Sequence, residues 1–180
     1  MHPRLAELTA YLAATRAALL ASVDGVPHER LRARPAPDAW SAAEVLDHVR
    51  KVERGVAFVL AGALEAARRA GPERSTDSVM ASLDALGVAE PARRVSAPSF
   101  ARPHEGADPV RALAGLERSR AELTAAIAAL DGLALQEVRA PNSALGELDL
   151  YQWILFAGQH EARHTRQIQR ALAALATTPS

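Results

Sequence analysis

The run from Ser41 to Ala70 constrains the fold more than any other. Its apolar residues Val45, Val49, Val52, Val56, Val59, Leu60 and Leu64 recur at helical spacing and form one stripe. Ser41 is a good N-cap, and Glu44 three residues later completes the pattern of a capping box. Gly71-Pro72 stops the run. A helix with one apolar stripe must bury it against other elements, so the rest of the chain is read for partners.

Three partners are present. Helix one spans Arg4 to about Val23 on Leu5, Leu8, Leu12, Leu19 and Val23, with Glu7 and Arg16 interleaved, and ends at Asp24-Gly25-Val26-Pro27. His28 to Arg34 has room for one short turn, and Pro35-Ala36-Pro37-Asp38 is an extended lead-in to the Ser41 helix. Helix three is capped by Asp108, carries Pro109 at its first position, and shows Val110, Leu113, Leu116, Leu123, Ile127 and Leu130 before Asp131-Gly132. Helix four runs from near Asp149 to about Ala176, with Trp153, Ala157, His160, His164, Ile168, Leu172 and Leu175 on its inward stripe.

The connections add topology. Gly71 to Asp108 is broken by Pro91, Pro98, Pro103 and Gly106; it reads as a long surface connection, with room for a short helix at Val79–Leu86. Gln136 to Gly146 reads as a polar loop around Pro141-Asn142-Ser143. Four long helices with little strand pattern specify an all-α four-helix bundle. The long crossover between helices two and three lets them run parallel, giving up-down-down-up. One domain over residues 1–180 accounts for the whole pattern.

Twenty-one basic and 21 acidic residues leave no net charge, so nothing in bulk electrostatics favours nucleic acid or an anionic membrane. No apolar run approaches the roughly 20 residues of a membrane helix. Met1-His2-Pro3-Arg4 leads into an amphipathic helix and not a signal-peptide core, so the expected location is cytoplasmic. The chain has no cysteine, which excludes disulfides, thiolate ligands and a cysteine nucleophile.

The histidines carry the chemistry. His160 and His164 are four residues apart, about 40° around a helix, so both rings reach one point. His48 lies three after Val45 and four before Val52, on the buried stripe of helix two. Three neutral buried imidazoles each need a partner. Three histidines sharing a divalent metal, with no fourth protein ligand, would leave a position open for water or substrate, which is the catalytic pattern. The alternative is that each is a core histidine bonded to a carbonyl. His2, His28 and His104 fall in the terminus or loops and are not expected as ligands.

Two blocks resemble the DinB-like (damage-inducible) superfamily of metal-binding four-helix bundles. Trp40-Ser41-Ala42-Ala43-Glu44-Val45-Leu46-Asp47-His48 matches its W-S-x-x-E-x-x-x-H pattern, and His160-Glu161-Ala162-Arg163-His164-Thr165-Arg166-Gln167-Ile168 matches its H-x-x-x-H-x-x-Q-I pattern. Gly146-Glu147-Leu148 is similar to the family's entry to the last helix. The resemblance implies an up-down-down-up bundle, a divalent metal (zinc or nickel) on His48, His160 and His164, and a homodimer. It also implies kinship with transferases and isomerases that use low-molecular-weight bacterial thiols.

The functional expectation is a divalent-metal-dependent enzyme, a thiol-dependent S-transferase or related metal-assisted transferase acting on a small-molecule substrate. A metal-dependent hydrolase and a non-catalytic, stress-related metal-binding bundle acting through dimer or partner contacts are the alternatives. Glu44, one turn before His48, is the candidate catalytic residue, as a base or ring-orienting group, against its simpler role in the capping box. Gln167 is placed to support His164. Glu161 and Arg163 are expected on a solvated or interface face, and Trp40 and Trp153 in packing.

Overall fold

Ser41 ends the extended lead-in and opens the longest helix of the protein's computed structural model, which describes residues 1–88 and 97–176. Four long helices are present: α1 (Pro3–Ala21), α3 (Ala42–Ala70), α4 (Pro109–Ala129) and α5 (Leu150–Ala176), with a short α2 (His28–Arg32) after α1. The capping box is formed. Ser41 Oγ accepts the Glu44 N–H at 3.2 Å and Glu44 Oε2 accepts the Ser41 N–H at 2.8 Å. Asp108 caps α4 through the Arg111 N–H at 3.0 Å, with Pro109 first in the helix.

Contacts at the two ends fix how the helices sit. At one end Arg4 of α1 meets Glu73 just beyond α3, Gln136 beyond α4, and the Tyr151 ring at the start of α5. At the other, Leu19 and Val23 pack with Val45, Leu46, Leu116 and Ile168. Gly158 lets α1 approach α5 closely: a Cβ there would stand 2.6 Å from the Tyr11 ring.

The core is two apolar clusters divided by a charged layer. One cluster holds Leu5, Leu8, Leu12, Leu60, Leu123, Ile127 and Ile154; the other holds Leu19, Val45, Val49, Leu116 and Ile168. Between them each long helix contributes one charged residue: Arg16, Glu53, Arg120 and Glu161. Arg16 donates to Glu53 at 2.8 Å and to Glu161 at 2.6 Å; Arg120 donates to the same two at 2.6 and 2.8 Å. Ser119 and Thr15 hydroxyls and the Leu116 and Leu12 carbonyls complete the hydrogen bonding. Two buried carboxylates are matched by two guanidiniums, so the layer is neutral and satisfied.

Three expectations need correction. Gln136–Gly146 is not simply a polar loop. It holds a 3-10 turn at Leu135–Glu137 and a hairpin of β1 (Arg139–Asn142) with β2 (Gly146–Asp149), paired from Arg139↔Asp149 to Asn142↔Gly146. Pro141 stands within this ribbon opposite Glu147, because a two-stranded ribbon has a free edge where a missing N–H costs nothing. Asn142 Oδ1 accepts from the Ala144 and Leu145 amides to make the turn, and Gly146 takes φ +81°. Val79–Leu86 is helical only over Asp84–Leu86, as one 3-10 turn, with turns before it. Val110 is 54% exposed, because α4's buried face begins at Pro109 and Ala112 instead. Pro91 lies outside the described residues.

Candidate metal centre

The site starts on one face of α3. Glu44, Asp47, His48 and Lys51 fall at i, i+3, i+4 and i+7, and each takes a backbone group of the segment 101–106. Glu44 Oε1 accepts from Gly106 N–H at 3.1 Å, and Asp47 Oδ2 from His104 N–H at 2.9 Å. His48 Nδ1–H donates to the Ala101 carbonyl at 2.7 Å, and Lys51 Nζ to the Arg102 carbonyl at 2.6 Å. The end of the crossover is thus fastened along α3 and is not a loose surface strand. Burial pushes the Asp47 carboxyl upward, but the His104 amide, Lys51 and Arg50 outweigh it and hold it below its ordinary value.

Helix α5 brings the other two rings. The ligating nitrogens of His48, His160 and His164 all lie within 4.8 Å of one another, and His48 Nε2 is 3.2 Å from His160 Nε2. His164 Nδ1–H donates to Gln167 Oε1 at 2.7 Å, one turn on. A carbonyl only accepts, so the Ala101 bond puts the His48 proton on Nδ1 and leaves a lone pair on Nε2. Gln167 does the same for His164. Burial is the first cause holding all three imidazoles below their ordinary value, well below for His160 and down to about 3 for His164. Three neutral rings with converging nitrogens are the donor set a divalent ion takes, so these residues fit a metal. Among the described residues no Cys, Asp, Glu or further His joins the group.

Beside the imidazoles lies a cavity of about 490 Å³. Trp40, Phe58, Phe100, Trp153 and Phe156 supply most of its aromatic wall, and Pro141–Leu145 of the hairpin form another side. Trp153 Nε1 donates to the Ala140 carbonyl at 3.1 Å and ties the hairpin to α5. Both tryptophans, read from sequence as packing residues, therefore also face the cavity.

Other expected residues are placed as follows. Glu44 is spent: Arg34 binds both its oxygens, at 2.5 to 3.2 Å, alongside the Ser41 and Gly106 amides. It holds the start of α3 and the end of the crossover together. Glu161 is not solvated but 1% exposed in the charged layer, and Arg163 lines the cavity next to His160 and His164. His28 and His104 are exposed and His2 sits by Asp131; none joins the cluster. Sequence reasoning missed the Ala101 carbonyl, Phe58 and Phe100, and put Arg163 on a solvated or interface face rather than in the cavity lining. Phe58 lies off the apolar stripe of its helix, and that displacement was the available signal.

Comparison with known proteins bears on the family and the fold. A family description for the DinB superfamily matches residues 11–168. The uncharacterized protein YuaE of Bacillus subtilis is 32% identical over 149 residues, covering 81% of this chain and 85% of that protein. The crystal structure of TT2238, a four-helix bundle protein, superposes with a TM-score of 0.59 at 28% identity, covering 92% of this chain and 98% of that one.

Proposed function

The chain belongs to the DinB superfamily, and from that footing we propose that it is a divalent-metal-dependent enzyme performing thiol-dependent S-transfer. Nε2 of His48, His160 and His164, which line the cavity, would hold zinc or nickel. The observation that carries the reading is the 3.2 Å approach of His48 Nε2 to His160 Nε2 while Nδ1 of His48 is committed to Ala101. One N–H···N bond would satisfy that pair alone, but the His164 nitrogen also lies within 4.8 Å of both, and a shared cation meets all three at once.

A divalent ion there would supply Lewis acidity, favouring a thiolate that attacks an electrophilic carbon: the C–S bond forms, the leaving group departs with its electron pair, and the thiol proton passes to solvent. The chain's own part is to orient and exclude. Ala101 and Gln167 fix the tautomers of His48 and His164. Trp153, Phe156 and Trp40 keep the space beside the rings apolar. An adjoining cavity favours an enzyme over a binding bundle. The reading takes the helices as up-down-down-up, supported by the meeting of Arg4, Glu73, Gln136 and Tyr151 at one end, and takes the protein as a cytoplasmic homodimer.

The test uses untagged protein. Elemental analysis after reconstitution with zinc, nickel or manganese should find a bound ion that His160→Ala loses. A screen of low-molecular-weight thiols against an alkylating electrophile should then show turnover that chelation abolishes. No bound metal, or turnover indifferent to chelation, refutes the reading; ester hydrolysis without a thiol would assign the hydrolase instead.

A further inference from the structure

Aromatic residues are scarce in this chain and gathered in one place. The sequence holds three Phe, two Trp and two Tyr. All three Phe and both Trp (Phe58, Phe100, Phe156, Trp40 and Trp153) line the cavity beside the imidazoles. The tyrosines stand elsewhere, Tyr11 against Gly158 and Tyr151 on Glu73. Apart from Tyr151, the largest fully buried side chains are leucines, so aliphatic residues fill the core and the other rings are kept for the cavity.

The aromatic wall is continuous with the imidazole cluster. Trp153 meets Phe156 edge-on at 5.9 Å between centroids, and Phe156 meets His160 at 5.4 Å. His160 meets His48 at 5.0 Å, and His48 meets Trp40 at 5.0 Å. Among the described residues the large hydrophobics left exposed are Met1, Leu20, Phe58, Phe100 and Val110. The aromatic pair, Phe58 at 80% and Phe100 at 66%, both line this cavity. Apolar rings held in water beside a cavity mark a place where a ligand covers them.

The polar groups of the lining are largely committed. His48 Nδ1 binds Ala101, His164 Nδ1 binds Gln167, and Trp153 Nε1 binds Ala140. Asn142 Oδ1 accepts from two amides of its own turn. Arg163 lines the cavity too and is not a free cation. A polar ligand would give up water for few hydrogen bonds and leave the exposed rings wet. A flat apolar ring system would cover Phe58 and Phe100 and gain ring-on-ring contact as well.

We propose that this cavity of about 490 Å³ binds an uncharged, flat aromatic molecule of naphthalene-like size against its five aromatic side chains. Binding does not depend on the metal. Only the use of such a molecule as the electrophilic partner in S-transfer rests on the enzyme reading above.

The test is calorimetric titration of the full-length protein, zinc-loaded and zinc-free, with 2-naphthylmethanol. Saturable binding is expected in both forms. The saturated decahydro-2-naphthylmethanol should bind about two- to tenfold more weakly, from lost ring contact. Benzyl alcohol should bind about tenfold more weakly, from lost apolar area, and naphthalene-2,6-disulfonate should give no saturable heat. Phe58→Ser and Phe100→Ser, at exposed positions, should each weaken 2-naphthylmethanol about three- to tenfold. Leu20→Ser, exposed but away from the cavity, should leave it unchanged. No saturable heat with 2-naphthylmethanol overturns the proposal, as does equal affinity for the saturated alcohol or the disulfonate. A Phe58→Ser variant that keeps its affinity but changes mass in sedimentation would assign that ring to a second copy of the chain, which also overturns it. Aromatic binding by a protein that takes up no metal would uphold the proposal and refute the enzyme reading; metal uptake with thiol turnover, but no aromatic binding, would do the reverse.

Discussion

His48 Nε2 and His160 Nε2 stand 3.2 Å apart across the interface of α3 and α5, 112 residues apart in the chain. Neither helix defines the site alone. It exists because two capped helices pack with these rings at one level, and because Ala101 and Gln167 turn the outer nitrogens of His48 and His164 away from it.

Replacing Gln167 by Ala removes the acceptor that orients His164. Zinc affinity, read by competition with a chromophoric chelator, should fall about 10- to 100-fold, while His164→Ala should abolish tight binding. The helical content of both variants should be unchanged by circular dichroism.

Glu161→Ala would leave Arg16 and Arg120 short of a counter-charge in the core. Urea denaturation should show a loss of about 3–5 kcal/mol, the range for breaking a buried, hydrogen-bonded ion pair from one side. Glu53→Ala should cost a similar amount. The double variant should lose more than the sum, because each single variant leaves both guanidiniums one shared carboxylate while the double leaves two buried cations with none.

Ser41→Ala removes one half of the capping box while Glu44 keeps Arg34. The expected cost is about 1 kcal/mol in denaturant unfolding. A cost several times larger would show that Ser41 does more than cap.

Acid should release the 101–106 segment from α3. Burial raises the Glu44 and Asp47 carboxyls, but their partners outweigh it, so both titrate below their ordinary values in the folded protein. The unfolded chain therefore takes up these protons first as pH falls. The stabilisation they give is full above about pH 4 and is lost as pH drops through their lower folded values. Hydrogen-exchange protection of the His104 and Gly106 amides should fall across that acid range, and Asp47→Asn should weaken protection of His104 already at neutral pH.

Metal uptake should stabilise the fold by mass action. At about 100 times the dissociation constant, zinc adds about 2.7 kcal/mol, visible as a raised Tm. The increase should vanish in His48→Ala.

Much was legible in the chain itself. Caps at Ser41 and Asp108, stops at Gly71 and Gly132, and stripes of period 3.6 depend on neighbours a few residues away, so they fix four long helices and a bundle from sequence. The H-x-x-x-H spacing on α5 is local too, and so was the inward position of His48 on its stripe. Glu161 and Arg16 show the limit. A charged residue beside an apolar stripe reads as a solvated flank, and only the assembled bundle shows four such flanks closing on one another into a neutral layer. The hairpin was missed for a related reason: a two-stranded ribbon gains its stability from Leu148 buried in the core and the Trp153 bond to Ala140, not from strand propensity. The sequence by itself determined the helices, their ends and the three imidazoles, because those follow from short-range spacing. Tertiary structure alone decided the 3.2 Å meeting of His48 and His160, the docking of Ala101, and the place of Arg163 in the cavity, because long-range packing sets all three.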